Sequence, residues 1–109
     1  MSFERGDLIW LDFNPQKGHE QKGRRPALVV SPRSYNELSN CVLVCPITSN
    51  LSAWAWKIEL PAGQEISGAI LVDQIKSVDA EARMAMVVNQ RVPDEILADV
   101  LARLATLTH

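Results

Sequence analysis

Cysteine is scarce in this chain, with two among 109 residues, and Cys41 and Cys45 lie four apart in the run CVLVC with no histidine beside them. That spacing on a strand points both thiols to one face and speaks for reduced, packed side chains against a zinc or redox centre. No apolar run approaches the ~20 residues that a membrane-spanning helix needs, and the opening MSFERGD has no apolar leader core, so a soluble, cytoplasmic protein is expected. Neither sign of charge dominates. Eleven Lys and Arg stand against 13 Asp and Glu, a net charge of -2, which excludes a surface coated with non-specific nucleic-acid affinity and makes any anion binding local. Linkers, repeats and low-complexity tracts are missing, and the few aromatics form no clustered groove for a peptide. With 47% apolar and 22% charged residues the chain is globular, and its length predicts one domain over residues 1–109, near the size where a partner adds stability.

What is present is concentrated between Asn14 and Arg25. The segment NPQKGHEQKGRR gathers Lys17, His19, Lys22, Arg24 and Arg25 around the single acid Glu20, an anion-binding composition. Apolar runs on either side, GDLIWLDF and PALVVSP, read as strands that would hold the loop at both ends. The acid-leaning stretch Asp94 to Asp99 lies elsewhere, so the near-zero average conceals segregated charge.

Six short segments rich in β-formers are expected as strands: Leu8 to Phe13, Ala27 to Ser31, Val42 to Ile47, Trp56 to Leu60, Ala69 to Val72 and Met84 to Val88. The turn signals between them, among them Asn14-Pro15, Gly23, Pro61-Ala62-Gly63 and Ser67-Gly68, are spaced as in a small, mostly antiparallel barrel or curled sheet. Pro32 at a helix start and the capping-box spacing Ser34 to Glu37 predict a short helix over Pro32 to Leu38. Pro93, Asp94 and Glu95 can open a second helix, and Ile96, Leu97, Val100, Leu101, Leu104 and Leu107 recur on one face of it. This amphipathic C-terminal helix is expected to pack on the open side of the barrel, its acidic polar face being wrong for a membrane surface.

Taken in order, GDLIWLDFNPQKGHEQKGRRPALVVSP, VLVCPITSN, GAILVDQIKSVD and RVPDEILADVLARL closely resemble the MazF/PemK family of toxin endoribonucleases. The likeness covers essentially the whole chain, and the G-H-E-Q-x-G-x-R-P block between two strands is its most specific part. It implies a mainly β fold with added helices, an SH3-like small β-barrel, a homodimer, and cleavage of single-stranded RNA at a short sequence without metal or other cofactor. It further implies an antitoxin partner, and an acidic, disordered tail would suit the basic loop. By position, Arg25 matches the family's catalytic arginine, Thr48 the hydroxyl residue that works with it, and Glu20 and His19 the loop residues bordering the site. Some PemK-type members carry an arginine two residues before the Asp of the D-Q element, where this chain has Leu71. That departure favours a site centred on Arg25 and Thr48 over a catalytic role for Asp73.

The chemistry suits those residue types. The 2′-hydroxyl of RNA already lies beside the scissile phosphorus, so the protein must align it, move protons and stabilise a crowded phosphorane. Arg25 can hold two phosphate oxygens with its planar fork, and Thr48 can donate to the same oxygens. A guanidinium is a poor proton carrier, which makes Glu20 the candidate base and His19 its rival. Candidate RNA contacts are Asn14, Lys17, Gln21, Lys22 and Arg24 in and beside the loop, Ser49 next to Thr48, and Trp54 and Trp56 as stacking faces. Bland alternatives stand beside these: a salt bridge from Arg25 to Glu20, a plain strand-end hydroxyl at Thr48, solvated charges at Lys17 and Lys22, and core packing for Trp10 and Phe13. Two other functions fit the sequence less well. A gyrase poison of the CcdB type ends in Trp-Gly-Ile, whereas this chain ends in LATLTH, and a plain SH3-like interaction module lacks its aromatic groove.

Overall fold

The computed structural model describes residues 2–13 and 23–108. Seven strands and two helices follow in the order β1 (Asp7–Asp12), β2 (Arg24–Val29), α1 (Arg33–Ser39), β3 (Cys41–Thr48), β4 (Lys57–Glu59), β5 (Ala69–Leu71), β6 (Lys76–Asp79), β7 (Met86–Arg91) and α2 (Asp94–Thr108), with a 3-10 turn at Val72–Gln74. Pairing is antiparallel throughout, in the order β4-β5-β3-β2-β1-β7 with β6 also on β3. The eight-residue β3 is the hub: β2 lies on one edge, while β6 and β5 take successive stretches of the other. One strand thus serves two short neighbours and turns the sheet around itself. Its end strands, β4 and β7, are not paired with each other among the described residues, so the small barrel-like sheet stays open.

Alternation along β1, β2 and β3 explains two cores. Leu8, Leu28, Cys45 and Ile47 belong to one cluster with Ile66, Ile70, Val72 and Val100, whereas Ile9, Leu11, Ala27, Val29, Val42 and Val44 belong to another with Phe3 and Val78. Both faces of these central strands are covered, which is why they read as continuous apolar runs. Helix α2 closes the first cluster with Val100, flanked by Ile96, Leu97, Leu101 and Leu104. Leu107, expected on the same stripe, is exposed and lies outside that cluster.

Several expectations require correction. A seventh strand, β6, was not foreseen, because KSVD offers one buried apolar residue, Val78, and forms by pairing with Cys41–Val44 of β3. Strand β2 begins at Arg24, three residues early, and β7 begins at Met86, since Met84 adopts a left-handed turn conformation with φ of 54°. The α1 helix exists, but its N-cap is Pro32 and no side chain caps it; Glu37 instead accepts from Ser2 Oγ (2.8 Å) and pairs with Arg33 (3.4 Å). No described helix is long and apolar enough to cross a membrane.

Candidate active site

The site begins with two prolines. Between β2 and β3 the ladder pairs Val29 with Val44, Leu28 with Cys45 and Ala27 with Pro46, and no pair lies beyond. Val30 donates to the Leu43 carbonyl, so even residues of β2 face β3; Pro26, next in that row, has no N–H to donate to Ile47, and the lacing stops there. The same register carried two residues further sets Arg25 across from Thr48, both on the face of Ala27 and Pro46. Arg25 is therefore held by a strand, paired with Leu11 of β1, rather than hanging at the end of a loop. Its side chain is exposed and forms no ion pair among the described residues.

Thr48 is fixed from the other side. It pairs with Ala69 of β5, and Gly68, at φ of 116°, lies so close that a Cβ there would strike the Thr48 carbonyl. Thr48 Oγ1 accepts from the Asn50 amide (3.1 Å), and Asn50 Oδ1 accepts from the Ser52 amide (2.9 Å), so the chain leaves β3 in two linked side-chain turns. The Lys57 ammonium donates to the Asn50 and Ser52 carbonyls at 2.7 and 2.9 Å. Trp54 is exposed, with its indole N–H on Asp73 Oδ2 (3.2 Å), and Arg103 of α2 donates to the Ala55 carbonyl. Asp73 thus orients Trp54. Trp56, by contrast, is half-buried and packs on the first core cluster, which leaves Trp54 as the better stacking face.

Other expected residues differ in what they contact. Arg24 lines the same groove as Arg25, but its guanidinium is engaged by Asp12 (3.1 Å) and the Met84 carbonyl (3.0 Å). Ser49 is exposed beside Thr48 and lines, with Trp10, Arg25, Glu65 and Ser67, a groove of about 270 Å³. Asn14, Lys17, His19, Glu20, Gln21 and Lys22 lie outside the described residues.

Two features escaped the sequence reading. Trp10 packs on the first core cluster as expected, but it is half-buried and also donates its indole N–H to Glu65 (3.2 Å) at that groove, a pairing across 55 residues that no local pattern announces. Lys76 places its ammonium 4.9 Å from the centroid of the Phe13 ring. Its register opposite Val44, and that of Phe13 following Leu11, put Lys76 on the face that carries Arg25 and Thr48. The D-Q-x-K-S element held the signal for Lys76, but a lysine at a strand start reads as a solvated charge.

Two cations and a hydroxyl on one face of a small curled sheet, with an exposed indole in the loop after Thr48, are the chemistry of a nucleic-acid-binding protein. Residues 4–108 match the family described as PemK-like, MazF-like toxin of type II toxin-antitoxin system. The endoribonuclease toxin MazF of Escherichia coli is 42% identical over 93 residues, covering 85% of this chain and 83% of that protein. MazF from Deinococcus radiodurans is similar in structure with a TM-score of 0.86 at 40% identity, over 99% of this chain and 97% of that one. For MazE-MazF from the same organism the TM-score is 0.85 at 34% identity, over 99% and 96%. The chain belongs to the MazF/PemK toxin family, and with it to the endoribonucleases.

Proposed function

We propose that residues 1–109 form one cytoplasmic toxin domain that cleaves single-stranded mRNA at a short sequence, without metal, by attack of the 2′-hydroxyl on the adjacent phosphorus. The products are a 2′,3′-cyclic phosphate and a 5′-hydroxyl. The observation that carries this reading is the β2–β3 register, whose last pair is Ala27 with Pro46 and which, continued two residues past the unlaced end, leads to Arg25 and Thr48 on one face. Arg25 neutralises the charge that gathers on the phosphorane oxygens, Thr48 donates a hydrogen bond to them, and Lys76 extends the positive face along the backbone. Glu20 takes the 2′-proton, with His19 returning one to the departing 5′-oxygen. Trp54 stacks a neighbouring base.

Control comes from an antitoxin, as the MazE-MazF structures of the Deinococcus relative suggest. An acidic, disordered tail fits this face by setting carboxylates where phosphates lie and an apolar side chain on Trp54. The toxin acts as a homodimer through the groove of about 800 Å³ that lies between α1 and the β6–β7 connection and is lined by Phe3, Val42, Met84 and Met86. Support for that face is its apolar exposure, 65% at Met84, 60% at Met86 and 88% at nearby Leu38.

The test is digestion of a defined RNA pool in excess chelator, followed by sequencing and chemical typing of the fragment ends. Cyclic phosphates, 5′-hydroxyls and one short shared motif are expected. Products with 5′-phosphates, a strict need for magnesium, or equal cutting of DNA would overturn the mechanism.

A further inference from the structure

We propose that Lys57 is a positioning residue for the Thr48 hydroxyl, acting through Asn50. The inference rests on the role of Thr48 given above and adds the part that aims it. A threonine hydroxyl is a rotor, and it serves a phosphate only when its proton points at one. Here Thr48 Oγ1 accepts the Asn50 amide proton at 3.1 Å, which occupies one lone pair and fixes the side chain, leaving the hydroxyl proton to be donated elsewhere. The Asn50 amide can do this only while its own turn is held.

Lys57 holds it. An ammonium has three protons to donate, and this one places them on the Asn50 carbonyl (2.7 Å), the Ser52 carbonyl (2.9 Å) and Ser52 Oγ (3.3 Å). Among the described residues it forms no ion pair, so its charge is directed wholly at that turn. Hydrogen bonds from an ionised donor are the stronger kind. The base from which Lys57 reaches is rigid: its backbone pairs with Leu71 of β5, and its own amide donates to the Trp54 carbonyl (3.1 Å). Residues 50 to 57 are thereby closed into a loop clipped at its neck, and the clip ends on the residue whose amide orients Thr48. A solvated surface lysine would make none of these contacts.

The test uses Lys57→Met, which keeps the stem and removes the donors, and Lys57→Arg, which keeps the charge but not the three-point geometry. Both are compared with the unsubstituted protein under conditions where circular dichroism reports a folded chain. In Lys57→Met the Asn50 amide should exchange with solvent roughly tenfold faster or more, while amides in β2 are unchanged. Single-turnover kcat should fall roughly tenfold with KM little altered, the fall should shrink below about twofold in a Thr48→Ala background, and Lys57→Arg should not restore it. Unchanged protection of the Asn50 amide, an equal fall in both backgrounds, an effect confined to KM, or full rescue by arginine would each overturn the proposal. A wild-type protein that cuts no RNA defeats the proposed function instead, and the exchange result still decides whether Lys57 positions the turn.

Discussion

Cys45 has no exposed surface at the centre of β3, and its thiol reaches only the Val72 carbonyl, at 3.9 Å. Burial, with a smaller contribution from the nearby charge of Asp73, pushes it from an ordinary 9.0 up to about 12. The thiol should therefore resist alkylation at pH 8 in the folded protein, while half-buried Cys41 reacts first. The linkage has a definite sign. A raised folded value contributes stability fully below pH 9 and loses it as pH climbs toward 12, because the unfolded chain ionises first. The advantage of wild type over Cys45→Ala in urea unfolding should accordingly shrink by roughly 1 kcal/mol between pH 8 and pH 10, a constant gap being the contrary result. Arg25 and Thr48 can be proposed from the sequence alone because a specific block and the P-I-T element carry them. Lys57 and Lys76 cannot be, since what a lysine does depends on which carbonyl or ring the fold brings to it, and neither partner is near in the pattern.

Among the elements, those with strong apolar alternation or a long helical stripe were foreseen, and β6 was missed because its strand character comes from β3. The boundary of β2 mattered most. Starting it at Ala27 left Arg25 in a loop, whereas pairing with β1 extends it to Arg24 and makes Arg25 a strand residue with a defined face. Pro26, which faces β3 without an N–H, explains where the lacing stops, a fact available in the sequence only once the two strands are known to be neighbours. Helix α2 reaches the site as well. Asp99 steadies Arg103 (3.0 Å), whose guanidinium donates to the Ala55 carbonyl in the loop after Thr48. Because this ion pair is substantially exposed, Arg103→Ala should cost no more than about 1 kcal/mol of stability. Its clearer signature should be faster exchange of the Lys57 amide, which bonds to the Trp54 carbonyl; unaltered exchange would mean that the helix does not brace the loop.

At the scale of the whole molecule, an open antiparallel sheet leaves β7 as a free edge among the described residues, beside exposed Met84 and Met86. An edge of this kind is ordinarily covered or charged, and here a second copy is the proposed cover. Sedimentation at micromolar concentration should find a dimer, and Met86→Asp should shift it toward monomer without unfolding; a monomeric wild type would remove that face from the account. Segregation of charge, not net charge, gives an acidic protein the positive face on which the proposed RNA path lies. The central claim is that Arg25, set across from Thr48 by the strand register, supplies the charge that RNA cleavage needs. Single-turnover cutting of one mapped RNA by wild type, Arg25→Ala and Thr48→Ala tests it most directly, with the fold checked by thermal unfolding. Removing Arg25 should slow the cut by about 100-fold or more, and removing the Thr48 hydroxyl by a smaller factor, with little change in stability. A folded Arg25→Ala that cuts at the wild-type rate would contradict it.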